Sequence, residues 1–273
     1  MKNKFLPLTL FLAFASPLFA QDEAQAEGSP MDKISQAFLN LPEEQRKSYQ
    51  EHSAKAAQFF RQKRTFECLD EIHKASKIFD SDPNLWNLKG SCHVEFRDFS
   101  KAKKAYQKAL ALNGENTGIL FNLAEMDFVM KNWQGSKKQF ALLREKLEPA
   151  DGKELEGPQL SFHRLAVFKE LLSEIKLNNL AGAQKLAEDY EADWDDTPFS
   201  YYSKATFAFH EGDEVGATEW LQSAVRVFGG VQRVANWHDT LIEFGYIKSF
   251  YGCLLYTSPS PRDLSTSRMP SSA

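Results

Sequence analysis

NLWNLKGSCHVEFRDFSKAKKAYQKALALN, Asn84 to Asn113, contains two helical stretches that meet around Arg97 to Ser100. Each carries small or aromatic residues at helical spacing, with Trp86, Gly90, His93, Ala102, Tyr106 and Ala109 as markers. Shifted forward by 34 residues the markers become Leu120, Ala124, Asp127, Ser136, Phe140 and Leu143. Shifted back by 34, four of them become Ala56, Phe59, Ile72 and Ala75, with Cys68 in the place of Ala102. Small stays small and large apolar stays large at most places. The physical reason is packing within and between helix pairs. A small residue on the first helix (Ala56, Gly90, Ala124) lets the second approach, and a small residue on the second (Cys68, Ala102, Ser136) meets it. Ile72, Tyr106 and Phe140 then wedge into the neighbouring pair. No pair alone buries both of its faces, so stacking supplies the core.

The marks return downstream with a longer offset. Ala205, Ala217, Leu221 and Ala224 stand 115 residues after Gly90, Ala102, Tyr106 and Ala109, and Val167, Ala183 and Ala187 stand 81 after Trp86, Ala102 and Tyr106. Each offset is a whole number of periods plus 13, which places one insertion between Glu148 and Ser161, in the loop-like PADGKELEGPQ. The expected repeats run from about 49–82, 83–116, 117–150, 164–197 and 198–231, and VQRVANWHDTLIEFGYI caps the stack. A 34-residue period of paired helices resembles the tetratricopeptide repeat, with its Trp, Leu-Gly, Tyr, Ala, Phe, Ala and closing Pro. Lys89 stands where that pattern has Leu, His93 and Asp127 where it has Tyr, and Gly114 in place of the Pro. The resemblance implies an all-α fold, a right-handed α-solenoid of helix-turn-helix repeats across 31–252. It also implies a concave face lined by the first helices, which would present Asn87, Ser91 and Glu95, then Phe121, Glu125 and Phe128, then Tyr202, Thr206 and Phe209. Aromatics flanked by an amide and carboxylates suit a peptide or a helix, although Phe121, Phe128 and Phe209 equally suit packing between repeats. The family's chaperone-binding members use a clamp of Lys, Arg and Asn, which Ser91 and Glu125 do not supply.

The two ends differ from this body. Residues 1–20, MKNKFLPLTLFLAFASPLFA, join Lys2 and Lys4 to a short apolar run and a small residue at Ala20, the layout of a signal peptide cleaved after Ala20. The run is too short to span a bilayer, so the expected destination is the periplasm or outside, with no membrane span after cleavage. A polar, flexible linker is expected over 21–30. Helix signals then begin, with Ile34, Phe38 and Leu41 on one face of MDKISQAFLNL. At the other end, CLLYTSPSPRD and SRMPSSA, back-translated with ordinary codons, resemble the constant blocks of a transposase-type sequencing adapter, with Leu264, Ser265 and Thr266 as the index. Residues 253–273 are therefore expected to be an adapter-derived artefact outside the fold, the reading frame having been cut near Gly252.

With Lys2, Lys4, Arg262, Arg268 and Asp263 set aside, 29 basic and 36 acidic residues remain over 21–252, a net charge of −7. That balance argues against nucleic acid as a partner. Cys68 and Cys92 fall on neighbouring helices of adjacent repeats; two buried thiols are expected rather than a disulfide, since Cys68 takes a small-residue packing place. The six histidines show no metal-binding spacing, and Asp193, Asp195 and Asp196 open a calcium-loop pattern that Pro198 and Lys204 break. No nucleophile elbow or phosphate-binding glycine loop occurs. The expectation is a non-catalytic scaffold that takes a protein or peptide partner and needs no cofactor, metal or catalytic residue. The alternative is the recruiting arm of an enzyme whose catalytic domain followed Gly252.

Overall fold

The computed structural model describes residues 29–150, 152–191 and 196–247. The expected leader, most of the linker, Asp193 and Asp195 of the broken calcium pattern, and the 253–273 tail lie outside them. The described residues form helices α1 (Pro30–Leu39), α2 (Glu43–Arg61), α3 (Thr65–Ile78), α4 (Pro83–Glu95), α5 (Phe99–Leu112), α6 (Thr117–Val129), α7 (Trp133–Leu147), α8 (Gly157–Lys176), α9 (Leu180–Tyr190), α10 (Phe199–Glu211), α11 (Glu214–Val227) and α12 (Ala235–Phe244), with no strand among the described residues. Ser29 and Pro30, read from sequence as the end of the linker, start α1: the Ser29 hydroxyl accepts from the Asp32 amide and the Asp32 carboxylate accepts from that of Ser29. The chain divides into two compact units between Leu186 and Ala187.

In the first unit α2 packs on α3, α4 on α5 and α6 on α7, and α3 meets α4, α5 meets α6 and α7 meets α8. Phe38 of α1 lies edge-on to Tyr49 and Phe79, with ring centroids 5.3 and 5.4 Å away. The Tyr49 hydroxyl donates across the first seam to Asp82, whose carboxylate also caps α4. One apolar cluster gathers Phe60, Cys68, Ile72, Leu88 and Cys92; another gathers Val94, Ala102, Tyr106, Leu123 and Met126. Each fully buried large side chain there contributes about 1.5–3 kcal/mol. In the second unit α10 packs on α11, and Tyr202 rests against Trp237 and His238 of α12.

The turns between paired helices fix the register. Lys63, Arg97, Lys131, Asn178 and Gly212 all have φ between 58° and 85° and lie 34, 34, 47 and 34 residues apart. After each, the next amide donates back to a carbonyl five residues earlier: Arg64 to Phe59, Asp98 to His93, Asn132 to Asp127, Asn179 to Glu174 and Asp213 to Ala208, at 2.8–2.9 Å. These are Schellman ends, each passing the chain directly into the second helix. The longer step of 47 contains the insertion. It is shared between the longer connection from α7 to α8, an α8 of 20 residues against 13 each in α4 and α6, and an α7 of 15 residues against 14 each in α3 and α5.

Candidate functional site

The first helices carry the residues read from sequence as the inner wall, and most of those side chains are buried. On α4, Ser91 is fully enclosed, its hydroxyl donating to the Asn87 carbonyl at 3.1 Å and bonding to the Tyr106 hydroxyl at 3.2 Å. The Asn87 side-chain oxygen accepts from Asn122 Nδ2 at 3.0 Å. Glu95 reaches solvent and accepts from Lys63 Nζ at 2.8 Å. On α6, Phe121 packs against Phe140 and Phe162, and Phe128 stands edge-on to Trp133 and Phe140. Glu125 pairs with Lys169 of α8 at 2.6 Å, and the same ammonium lies 4.6 Å from the Phe128 ring centroid. On α10, Tyr202 and Thr206 have no exposed surface, while Phe209 is half-buried and stacks on Tyr246 at 5.3 Å. Glu95 and Phe209 are thus the members that solvent reaches most readily.

The reason for this burial is visible in α6 itself: every residue from Ile119 to Val129 is buried, so this helix is enclosed all round. The aromatics at Phe121 and Phe128 serve packing here, the second of the two roles the sequence allowed them.

Sequence reading missed the polar partners. Asn122 and Lys169 join first helix to first helix, and the Asn122 side-chain oxygen meets no donor among the described residues. Two clusters recur at the hairpin turns. Asp127, 1% exposed, accepts from Asn132 at 2.9 Å and bonds to Lys103 and Gln139. Glu174, also buried, accepts from Asn179 at 3.0 Å and pairs with Lys137 at 2.7 Å. Each cluster joins an acid late in a first helix, the Asn that follows the left-handed turn residue, and a lysine from the preceding second helix. The spacing of 47 from Asp127 to Glu174 and from Asn132 to Asn179, beside 34 from Lys103 to Lys137, is the signal that marks them.

Cys68 and Cys92 are free and fully buried. The second unit has its own cleft of about 770 Å³ between α10 and α11, lined in part by Glu191, Tyr201, Lys204, Trp220 and Phe228. Within that lining Lys204 lies 2.5 Å from Glu191 and 5.2 Å from the Trp220 ring centroid. Among the described residues no group of three or more His, Cys, Asp or Glu is placed to hold a metal ion.

The small-on-large seams, the five left-handed turns and the repeated acid clusters establish the architecture. The fold is an all-α solenoid of tetratricopeptide-like helix pairs. PilF of Pseudomonas aeruginosa is 13% identical and superposes with a TM-score of 0.50, over 82% of this chain and 98% of that one. A tetratricopeptide repeat protein from Parabacteroides merdae is 11% identical with a TM-score of 0.47, over 77% of this chain and 79% of its own. No protein-family model and no curated protein matches the sequence. Among the described residues of this tetratricopeptide-like chain, no helix is long and apolar enough to cross a membrane.

Proposed function

We propose that the chain is a non-catalytic scaffold of the bacterial cell envelope, exported by its leader, that holds a protein or peptide partner on its first-helix face. The observation that carries this reading is the pairing of polar side chains between successive first helices, Asn87 with Asn122 and Glu125 with Lys169. These pairs are buried and do not themselves meet a partner; they hold successive first helices in fixed register, the preorganised support on which an exposed residue such as Glu95 can present a binding face. In the first unit Glu95 offers a reachable carboxylate on α4, and in the second unit Phe209 offers part-exposed aromatic surface on α10. The leader layout of residues 1–20 supports export.

Site-specific photo-cross-linking in cells tests the face. A probe at Glu95 should capture a partner, and probes at the exposed second-helix positions Lys104 and Lys138 of the same unit should not. Equal capture from both helix series would remove the first-helix face from the account. For export, the mature chain should begin at Gln21 and fractionate outside the cytoplasm; an intact Met1 in cytoplasmic material would overturn that half of the proposal.

A further inference from the structure

The seam between the first two hairpins brings two thiols together. Cys68 of α3 and Cys92 of α4 have no exposed surface, and their Sγ atoms lie 3.2 Å apart. That is little more than 1 Å beyond a bonded sulfur pair at about 2.0 Å, a gap that small rotations of two side chains can close. Helix packing does not itself require sulfur at this place. One repeat further on, the equivalent positions are Ala102 and Met126, again in one apolar cluster, and a second repeat on, Ser136 takes the seat of Cys68. The later seams pack without a thiol, yet here two are in contact.

We infer that Cys68 and Cys92 form an oxidisable pair that closes to an intrachain disulfide, fastening the first hairpin to the second. The oxidant is a disulfide, small or protein-borne. One cysteine attacks it as thiolate, forming a mixed disulfide and expelling one thiol, which takes up the proton that the cysteine lost. The second cysteine then attacks the protein-bound sulfur and expels the other thiol. Two protein thiols and one external disulfide become one protein disulfide and two external thiols. In the closed seam the Cys92 thiol is held well above its ordinary range, first by its hydrogen bond to Cys68 and then by burial. The packed form is therefore a poor nucleophile, and exchange proceeds when the terminal hairpin opens, as end repeats of a solenoid do most readily. The pairing depends on the seam alone and stands whether or not the chain is exported.

The test uses the purified, reduced full chain equilibrated with oxidised glutathione, then alkylated under denaturing conditions and mapped by peptide mass. The expected product links Cys68 to Cys92, forms at least tenfold faster in urea below the unfolding transition, and raises the thermal midpoint by about 5–10 °C over the reduced chain. Cys68→Ser should abolish that rise while keeping the helical signal. Both cysteines still open to alkylation at equilibrium would overturn the inference. So would a bond to Cys253 or to glutathione in its place, or a midpoint rise that persists in the variant.

Discussion

Gly90 and Gly212 are both glycines for steric reasons, but the reasons differ and so do the expected costs of replacing them. A methyl group at Gly90 would lie within 2.8 Å of Tyr106 Cζ and closer still to other atoms of that buried ring. Gly90→Ala must push the ring out of its seat between two hairpins, and a loss of about 1–3 kcal/mol is expected. At Gly212 nothing stands within 4 Å of such a methyl, but φ is +85°, so Gly212→Ala should cost about 1 kcal/mol from the backbone alone. Arg97, at φ 58°, is the converse; Arg97→Gly relieves the left-handed strain against a more flexible unfolded chain and should gain about 0.5 kcal/mol. Urea midpoints of the three variants check the signs together. Two histidines set a pH dependence. His163 and His238 are almost wholly buried, and burial lowers both to about 4, with Arg164 adding to the effect at His163. Arg164, a donor only, donates to His163 Nδ1, which fits a neutral ring there, and His238 Nδ1 shares a hydrogen bond with the Tyr202 hydroxyl. In the unfolded chain both titrate near 6.5, so below that pH the unfolded state binds more protons than the folded one. Stability should be complete above about pH 6.5 and fall progressively toward pH 4, by up to about 3 kcal/mol for each histidine. Glu170, raised mainly by burial, acts in the opposite direction and trims the loss. A pH series of urea midpoints should show a slope that His238→Gln flattens; a profile flat from pH 7 to 4.5 in the parent chain would refute the account.

Among the elements, the hairpin turn carries the most information and the least of it is legible in sequence. The seams could be read because they depend on side-chain size: Gly90 against Tyr106, and Ala124 and Ser136 among larger residues, repeat wherever two helices must touch. The turns could not, because four of the five left-handed positions are held by Lys63, Arg97, Lys131 and Asn178, and only Gly212 carries the usual signal. At α6 helical register alone left two roles open for Phe121 and Phe128, groove and packing, and their burial fits the second. The sequence ILFNLAEMDFV has apolar residues on every side, which is the mark of an enclosed helix. The acid clusters test how far the turn depends on side chains. Asp127→Ala leaves Lys103, Gln139 and Asn132 without their common acceptor in a part-buried place. The expected loss is about 3 kcal/mol, toward the lower end for a broken buried pair since Lys103 keeps some access to water. In a double-mutant cycle Lys103→Met should recover part of that loss, whereas additive effects would show that the two groups do not act as a pair.

For the whole molecule, the consequence of stacking is that stability is local. In a solenoid each hairpin is held by its own packing and by its neighbours, so damage spreads to adjacent repeats and fades beyond them. The division between Leu186 and Ala187 adds a second level, since each unit has a core of its own: Ile72, Tyr106, Phe128 and Phe140 in one, Phe199, Tyr202, Leu221 and Leu241 in the other. Native-state hydrogen exchange can resolve this. Gly90→Ala strikes the packing of α4 on α5 and should reduce amide protection in those helices and in α3 and α6 beside them, with α10 to α12 unchanged. Tyr202→Phe removes the hydroxyl that reaches His238 and should loosen α10 and α12 while α2 to α5 keep their protection. Reciprocal, unit-confined losses are what independent cores require. If either substitution lowered protection evenly from α2 to α12, the chain would be unfolding as one cooperative body, and additive neighbour-to-neighbour coupling would be the wrong description of what holds it together.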